Sequence, residues 1–377
     1  MRVKGIAESI VNKLVTRSNH LSQGRAVGGL GFINQEGYID SITELVDGGV
    51  SGLPYRKILS KVAKIEGESL LELMNQLPDN TVLITTNPGK TGLIVDTGGI
   101  NTINQPLVSI GVKMGEIAGV GIIYPQDHLF ELTTRSEEIK LKRLAAKTMV
   151  EEREVLKEHS QTKVEYLEIC EELEEVDIPE VDADVNPKPE SEWQIKSVAV
   201  DSIAEEFAAD LVEKSITVEQ GREVAALGKI EDGHIVQLGE IVVGGMGYVP
   251  SRLLASSYTD ISGMSLREAY STKIPNNVAI VHTHPGGTGV MHMGDAMAGP
   301  VTWGRPVVAI GHDKDGEIKG STVIELLAEG MDLADEYEEL GQEFYQAETP
   351  EEEAGIRKRR FGIAQEYTDL CKSIELK

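Results

Sequence analysis

Asn277-Val278-Ala279-Ile280-Val281-His282-Thr283-His284-Pro285-Gly286-Gly287-Thr288-Gly289 is the stretch on which the reading of this chain turns. Its first half is a β-branched, apolar run of the kind that forms a buried strand. Residues two apart on a strand project to one face, so His282 and His284 present two imidazoles side by side while Thr283 points away. The glycines that follow permit a tight loop. Asp295 comes after ten intervening residues, near the start of a short helical segment. Two imidazoles and one carboxylate make three ligands and leave a fourth position for water on a tetrahedral ion, the layout of a catalytic zinc site rather than a closed structural one. A lone His-x-His is a weak signal among eight histidines. The strand, proline, glycine loop and aspartate arriving in order are what give it weight.

His-x-His-Pro with an aspartate at this spacing resembles the JAMM motif of the MPN-plus (Mov34/JAB-type) zinc metalloprotease family. That motif also has a glutamate far upstream, in a setting like Glu-Val-x-Gly-Leu-x-x-Gly. Here Glu223-Val224-Ala225-Ala226-Leu227-Gly228 stands in that place, with Glu223 59 residues before His282. The resemblance implies that His282, His284 and Asp295 hold Zn2+ and that Glu223 is the general acid/base. It further implies an isopeptidase or other amide hydrolase acting on a protein, with the tail of a ubiquitin-like or sulfur-carrier protein as one substrate class. The chemistry is consistent: zinc lowers the pKa of bound water to about 7, and a carboxylate can move its proton to the leaving amine. The family carries a serine three residues before the aspartate as an oxyanion donor. His292 occupies that position. A histidine can donate a hydrogen bond there or compete as a ligand, and one oxyanion donor is worth about 2.7–4 kcal/mol.

The segment around Glu223 occurs twice. Gln23-Gly24-Arg25-Ala26-Val27-Gly28-Gly29-Leu30-Gly31 matches Gln220-Gly221-Arg222-Glu223-Val224-Ala225-Ala226-Leu227-Gly228 at an offset of 197. Thr85-Thr86-Asn87-Pro88-Gly89 meets His282-Thr283-His284-Pro285-Gly286 at the same offset, and Gln105-Pro106-Leu107-Val108 echoes Arg305-Pro306-Val307-Val308. The chain reads as a tandem duplication. In the first copy Ala26, Thr85, Asn87 and Gly98 stand where Glu223, His282, His284 and Asp295 stand in the second. The expected organisation is a degenerate, metal-free MPN-minus-like domain over 1–178, an acidic, Pro-containing linker over 179–192, and a metal-binding domain over 193–377. The expected fold is α/β, two JAMM/MPN-like (cytidine-deaminase-like) domains, each a curved mixed β-sheet flanked by helices. The likeness to paired MPN-plus and MPN-minus subunits implies an intrachain pseudo-dimer or a homo-oligomer.

Each copy is expected to open with a helix (residues 6–14 and 203–212), continue as a meander with turns at Gln35-Glu36-Gly37 and Asp232-Gly233, and close with charged helices (136–159 and 325–347). Glu171-Glu172-Leu173-Glu174-Glu175 reads as a solvated helix end leading into the linker. Arg357-Lys358-Arg359-Arg360 reads as the salt-bridged face of a helix.

Composition bounds the function. With 377 residues and a net charge of −26, the chain holds two or three domains and is not expected to bind nucleic acid. No run of eighteen apolar residues occurs, so no membrane span is expected. The charged, amphipathic start is not a secretory signal. Two cysteines, Cys170 and Cys371, fit a reducing cytoplasm and small buried helix positions. Pro88-Gly89-Lys90-Thr91 lacks the first glycine of a P-loop, which would fall on Ile84. His234, His312 and Asp313 mark no particular function; His312, which follows a strand, reads most simply as a turn or loop residue, with a substrate contact as the alternative. Two functions stay open: a zinc hydrolase, and a metal-binding scaffold that uses the same fold for protein–protein interaction. The ligand set also admits iron or another divalent ion.

Overall fold

The computed structural model describes residues 2–50, 52–63, 68–94, 98–183, 185–188 and 198–377. Its first half runs β1 (Gly5–Ala7), α1 (Glu8–His20), β2 (Val27–Ile33), β3 (Tyr38–Ile42), β4 (Val46–Asp47), α2 (Tyr55–Leu59), α3 (Leu70–Asn75), β5 (Thr81–Pro88), α4 (Gly98–Ile103), β6 (Leu107–Lys113), β7 (Glu116–Ile123), α5 (Asp127–Ala145), α6 (Met149–Ile169), β8 (Glu171–Glu172) and β9 (Glu175–Val176). The second half repeats it as β10 (Ser202–Ile203), α7 (Glu205–Ile216), β11 (Val224–Glu231), β12 (His234–Gln237), β13 (Val242–Val243), α8 (Ser251–Ser256), α9 (Leu266–Thr272), β14 (Val278–Pro285), α10 (Met293–Ala298), α11 (Pro300–Trp303), β15 (Val307–His312), β16 (Ile318–Ile324), α12 (Ala328–Phe344), α13 (Pro350–Asp369), β17 (Lys372–Ser373) and β18 (Glu375–Leu376).

The two sheets have one topology. The first is ordered β8-β7-β6-β5-β2-β3-β1-β9 with β4 on β2; the second is β17-β16-β15-β14-β11-β12-β10-β18 with β13 on β11. Each is mixed: β5 and β6 run parallel, as do β14 and β15, while β2 pairs antiparallel with β5 and β11 with β14. The molecule is therefore α/β, two mixed sheets flanked by helices. Backbone packing explains why both copies keep their loop glycines. A Cβ on Gly311 would lie 2.0 Å from the Gly289 nitrogen, and one on Gly111 would lie 2.2 Å from that of Gly92.

Several elements differ from the sequence reading. Ile6 and Ile203 lie in strands, and the helices begin at Glu8 and Glu205 and run to His20 and Ile216. Gly5 and Ile6 pair with Tyr38 and Ile39, a parallel contact invisible to local periodicity. The charged helix expected over 136–159 is two helices. Thr148 and Glu151 form a capping box that starts the second of them, and Thr349 with Glu352 does the same for α13. The acidic run after Ile169 is not a helix end: Glu171 and Glu172 pair with β7, and Glu175 and Val176 with β1, while Leu173 is buried. The described part of the expected linker lies against the first half, with the Val181 amide on the Asp40 carbonyl and that of Lys188 on the Gln76 carbonyl. Residues 184 and 189–192 of that linker lie outside the described residues. Of the basic run, Arg357 stacks over Phe344, Arg360 over Tyr337, and Arg359 pairs with Glu343, all toward α12.

One face of each sheet is covered by its own opening helix, α1 or α7, over a separate apolar cluster. The other faces share one core. Leu30, Leu73, Met74 and Tyr166 of the first half belong to the same buried cluster as Leu227, Tyr270, Trp303 and Tyr367 of the second. The polar contacts across this boundary come in reciprocal pairs. Arg56 of α2 reaches Asp335 of α12 at 2.5 and 3.0 Å, and Arg252 of α8 reaches Thr134 of α5 at 2.7 Å. Asn75 and Ser271, each the sixth residue of its helix, hydrogen-bond each other at 3.1 Å. The copies thus pack face to face within one chain, about a pseudo-twofold axis near α3 and α9.

Candidate metal centre

The pleat of β14 puts His282 and His284 on one face, and the antiparallel register sets Ala225 opposite His282. Glu223, immediately before β11, is carried to the same face, opposite His284. Its amide donates to the Gly245 carbonyl at 2.9 Å and its carbonyl accepts from Gly244 at 2.8 Å, so its backbone is fixed on both sides. Thr283 points the other way. Its hydroxyl accepts the Val224 amide and donates to Ser215 of α7, both at 3.2 Å, tying the ligand strand to the helix behind it. Thr86, Val27 and Ser18 repeat that tie in the first half.

Asp295 arrives from the first turn of α10. The two Nε2 atoms of His282 and His284 lie 2.8 Å apart, and Asp295 sets one carboxylate oxygen 3.3 Å from each. The three side chains offer ligand atoms within 4.8 Å of one another. A tetrahedral ion with bonds of about 2.0–2.1 Å spaces its ligands about 3.3 Å apart; the two Asp295 contacts match that spacing and the contact between the imidazoles is shorter, so the three could hold an ion. Outer contacts orient it: the backbone amide of His292 donates to the Asp295 carboxylate at 2.8 Å, and the His284 ring hydrogen-bonds the Val290 backbone. Such supporting bonds are the usual partners of metal-binding side chains.

The electrostatics favour a cation. Burial works against ionising Asp295, but hydrogen bonds from His282 and His284 prevail and hold its carboxyl well below the usual range. Burial also opposes charge on His284, yet Asp295 and then Glu223 raise its pKa. Burial lifts the Glu223 carboxyl above the ordinary glutamate value, opposed by His282 and His284. A half-buried carboxylate poised to take up a proton beside three ligands is suited to acid/base work.

The site opens into a cavity of about 150 Å³ lined by Glu223, Tyr248, Leu254, Ile280, His282 and Asp295 among others. Tyr248 was not legible from the sequence; it lies in a loop with no motif. His292 is exposed, and its ring stacks on that of His284 at 5.2 Å between centroids, outside the three-ligand cluster.

The remaining titratable candidates have other partners. His312 is buried at the end of β15, its Nε2 2.8 Å from the Ser215 hydroxyl, and the His234 Nδ1 lies 2.9 Å from the Ser202 hydroxyl. Asp313 accepts the amides of Asp315 and Glu317 in its turn. Both cysteines are free and sit just beyond helix ends, where burial raises the Cys170 thiol and pushes that of Cys371 up to about 11. Neither is an activated nucleophile.

In the first half Thr85 and Asn87 occupy the positions of the two histidines on β5, and the Asn87 amide donates to Ser109. Gly98 opens α4, which leads into Gln105-Pro106 as α11 leads into Arg305-Pro306. Residues 95–97, just before α4, lie outside the described residues.

No helix among the described residues is long and apolar enough to cross a membrane. No family model matches the chain, and no curated protein or solved structure is significantly similar to it.

Proposed function

We propose that the second half is a metal-dependent hydrolase of the JAMM type that cleaves an amide or isopeptide bond. The observation that carries the proposal is the cluster of buried His282 and His284 with half-buried Asp295, and Glu223 facing it from the start of the neighbouring strand. A metal ion held there, with Zn2+ the first choice for this donor set, supplies Lewis-acid polarisation of a carbonyl and lowers the pKa of water. Glu223 takes the proton from the attacking water and returns it to the leaving amine. Asp295, held by the His292 amide, keeps the two imidazoles facing the reaction centre. The His292 ring, stacked on His284, is our candidate for the hydrogen bond that a serine gives elsewhere. The small cavity, walled by Leu254, Ile280 and Tyr248, suits a slender extended chain such as the tail of a ubiquitin-like or sulfur-carrier protein.

A second reading is a metal-binding scaffold without turnover. It is favoured by His292, whose ring is stacked on a ligand rather than standing free as a hydroxyl does. Elemental mass spectrometry separates these readings when combined with hydrolysis of a ubiquitin-like protein carrying a C-terminal extension. The hydrolase is expected to hold one metal per chain, to lose it in His284→Ala, and to keep it in Glu223→Gln while turnover drops at least about 100-fold. Metal retained in both wild type and Glu223→Gln, with no hydrolysis by either, is the scaffold result. No metal in wild type after zinc is supplied sinks both.

A further inference from the structure

The larger cavity lies in the first half, on the face equivalent to the metal centre. It measures about 370 Å³, against about 150 Å³ in the second half. The reason is readable residue by residue. Ala26 stands for Glu223, Thr85 for His282 and Asn87 for His284, each smaller than its counterpart. Gly48-Gly49-Val50-Ser51-Gly52-Leu53-Pro54 aligns with Gly244-Gly245-Met246-Gly247-Tyr248-Val249-Pro250, so Gly52 stands for Tyr248. A ring that lines the metal centre is absent from the first copy, and a Cβ built on Gly52 meets nothing within 4 Å.

The change is also one of charge. Lys90 replaces Gly287, and among the described lining residues it is the one charged side chain. Among the described residues it pairs with no acid. Thr85 and Asn87 add neutral hydrogen-bonding groups to the same lining. Leu83, Ile94 and Leu107 form a buried apolar floor, and Val50 and Leu93 are exposed at 58% and 40% on the lining. In a protein of net charge −26 this is a local reversal of sign. A space of about 300–1,000 Å³ with an apolar lining and a few placed polar groups is the ordinary form of a small-molecule site.

We propose that duplication turned the degenerate copy into a binding site for a small amphiphilic anion, with its acidic head on Lys90, Thr85 and Asn87 and its apolar body against Leu83, Ile94 and Leu107. The site is independent of the metal centre and of any reaction there.

The test uses the full chain and 8-anilinonaphthalene-1-sulfonate, an aromatic anion whose fluorescence rises in an apolar cavity. Binding is expected to saturate at one probe per chain, with Kd below about 1 mM. Lys90→Glu, on an exposed loop, is expected to weaken it about tenfold by replacing attraction with repulsion. Gly52→Tyr, which installs the residue of the second copy in open space, is expected to weaken it at least as much by filling the cavity. Octanoate is expected to displace the probe more effectively than octanol. Thermal midpoints matching wild type establish that both variants are folded. Absence of saturable binding, affinity unchanged in both variants, or octanol competing as well as octanoate overturns the proposal.

Discussion

His292 touches the candidate metal centre in two separable ways. Its backbone amide orients Asp295, and its ring stacks on His284. Removing the side chain leaves the amide in place, so His292→Ala is expected to keep metal affinity within about threefold of wild type, whereas outer-shell partners that are truly lost cost about 10–100-fold. Competitive chelator titration measures this. The same variant is expected to lower turnover by more than it lowers affinity if the ring faces the developing oxyanion. His292→Ser, which restores a hydroxyl, is then expected to recover part of the rate. At this scale the site was largely readable from the sequence. The period of a strand puts His282 and His284 together, and an antiparallel neighbour puts Glu223 across from them. Tyr248 was not readable, because a loop side chain reaches the cavity through the folding of its whole segment.

Among the elements, the paired helices of each half carry the contact with the other. Glu137 of α5 accepts the backbone amides of Leu253 and Arg252 of α8, yet its Oε2 atom has no partner among the described residues. Glu338 holds the corresponding place on α12, beside Asp335, Glu339, Arg56 and Lys57. Burial pushes both carboxyls up to about 7 from an ordinary 4.5, with Arg252 and Lys140 opposing at Glu137, and Arg56 and Lys57 at Glu338. A carboxyl with a raised folded pKa binds its proton more tightly in the fold than in the unfolded chain. Its stabilising contribution is complete below about pH 4.5 and is lost as pH climbs through about 7. The double variant Glu137→Gln/Glu338→Gln is therefore expected to gain on wild type over that window, on the order of 2 kcal/mol per site by pH 8. Urea unfolding at pH 5 and pH 8 reads the difference. A gap that does not widen with pH contradicts the assignment. The sequence announced these helices as charged but did not show their break at Thr148, because a capping box inside a long charged run looks like more helix. It could not show β8 and β9 either. Two-residue acidic strands have no periodicity, and only the completed sheet edge pairs them.

At the scale of the whole molecule, the two copies share a core, and that decides how the chain must unfold. The buried cluster joining Leu73 and Tyr166 to Tyr270 and Trp303 would be opened to water by separating the halves. The loss is roughly 25 cal/mol for each Å² of apolar surface exposed. Separation would also strand Arg56, 3% exposed and bonded to Asp335, and the buried Arg252, bonded to Thr134 and Asn101. Breaking one such ion pair costs about 3–5 kcal/mol, so Arg56→Ala is expected to destabilise the entire chain by about 3 kcal/mol. The repeat alone suggests two domains melting independently, whereas a common core makes each half the support of the other. Calorimetry of the full chain is therefore expected to show one transition, with calorimetric and van't Hoff enthalpies in agreement. Arg56→Ala is expected to shift that transition as a unit, lowering the second half together with the half that carries the substitution. Two resolved transitions, only one of them moved by Arg56→Ala, would mean that the boundary is a docking surface between autonomous domains. The candidate site of the second half would then owe nothing to the first.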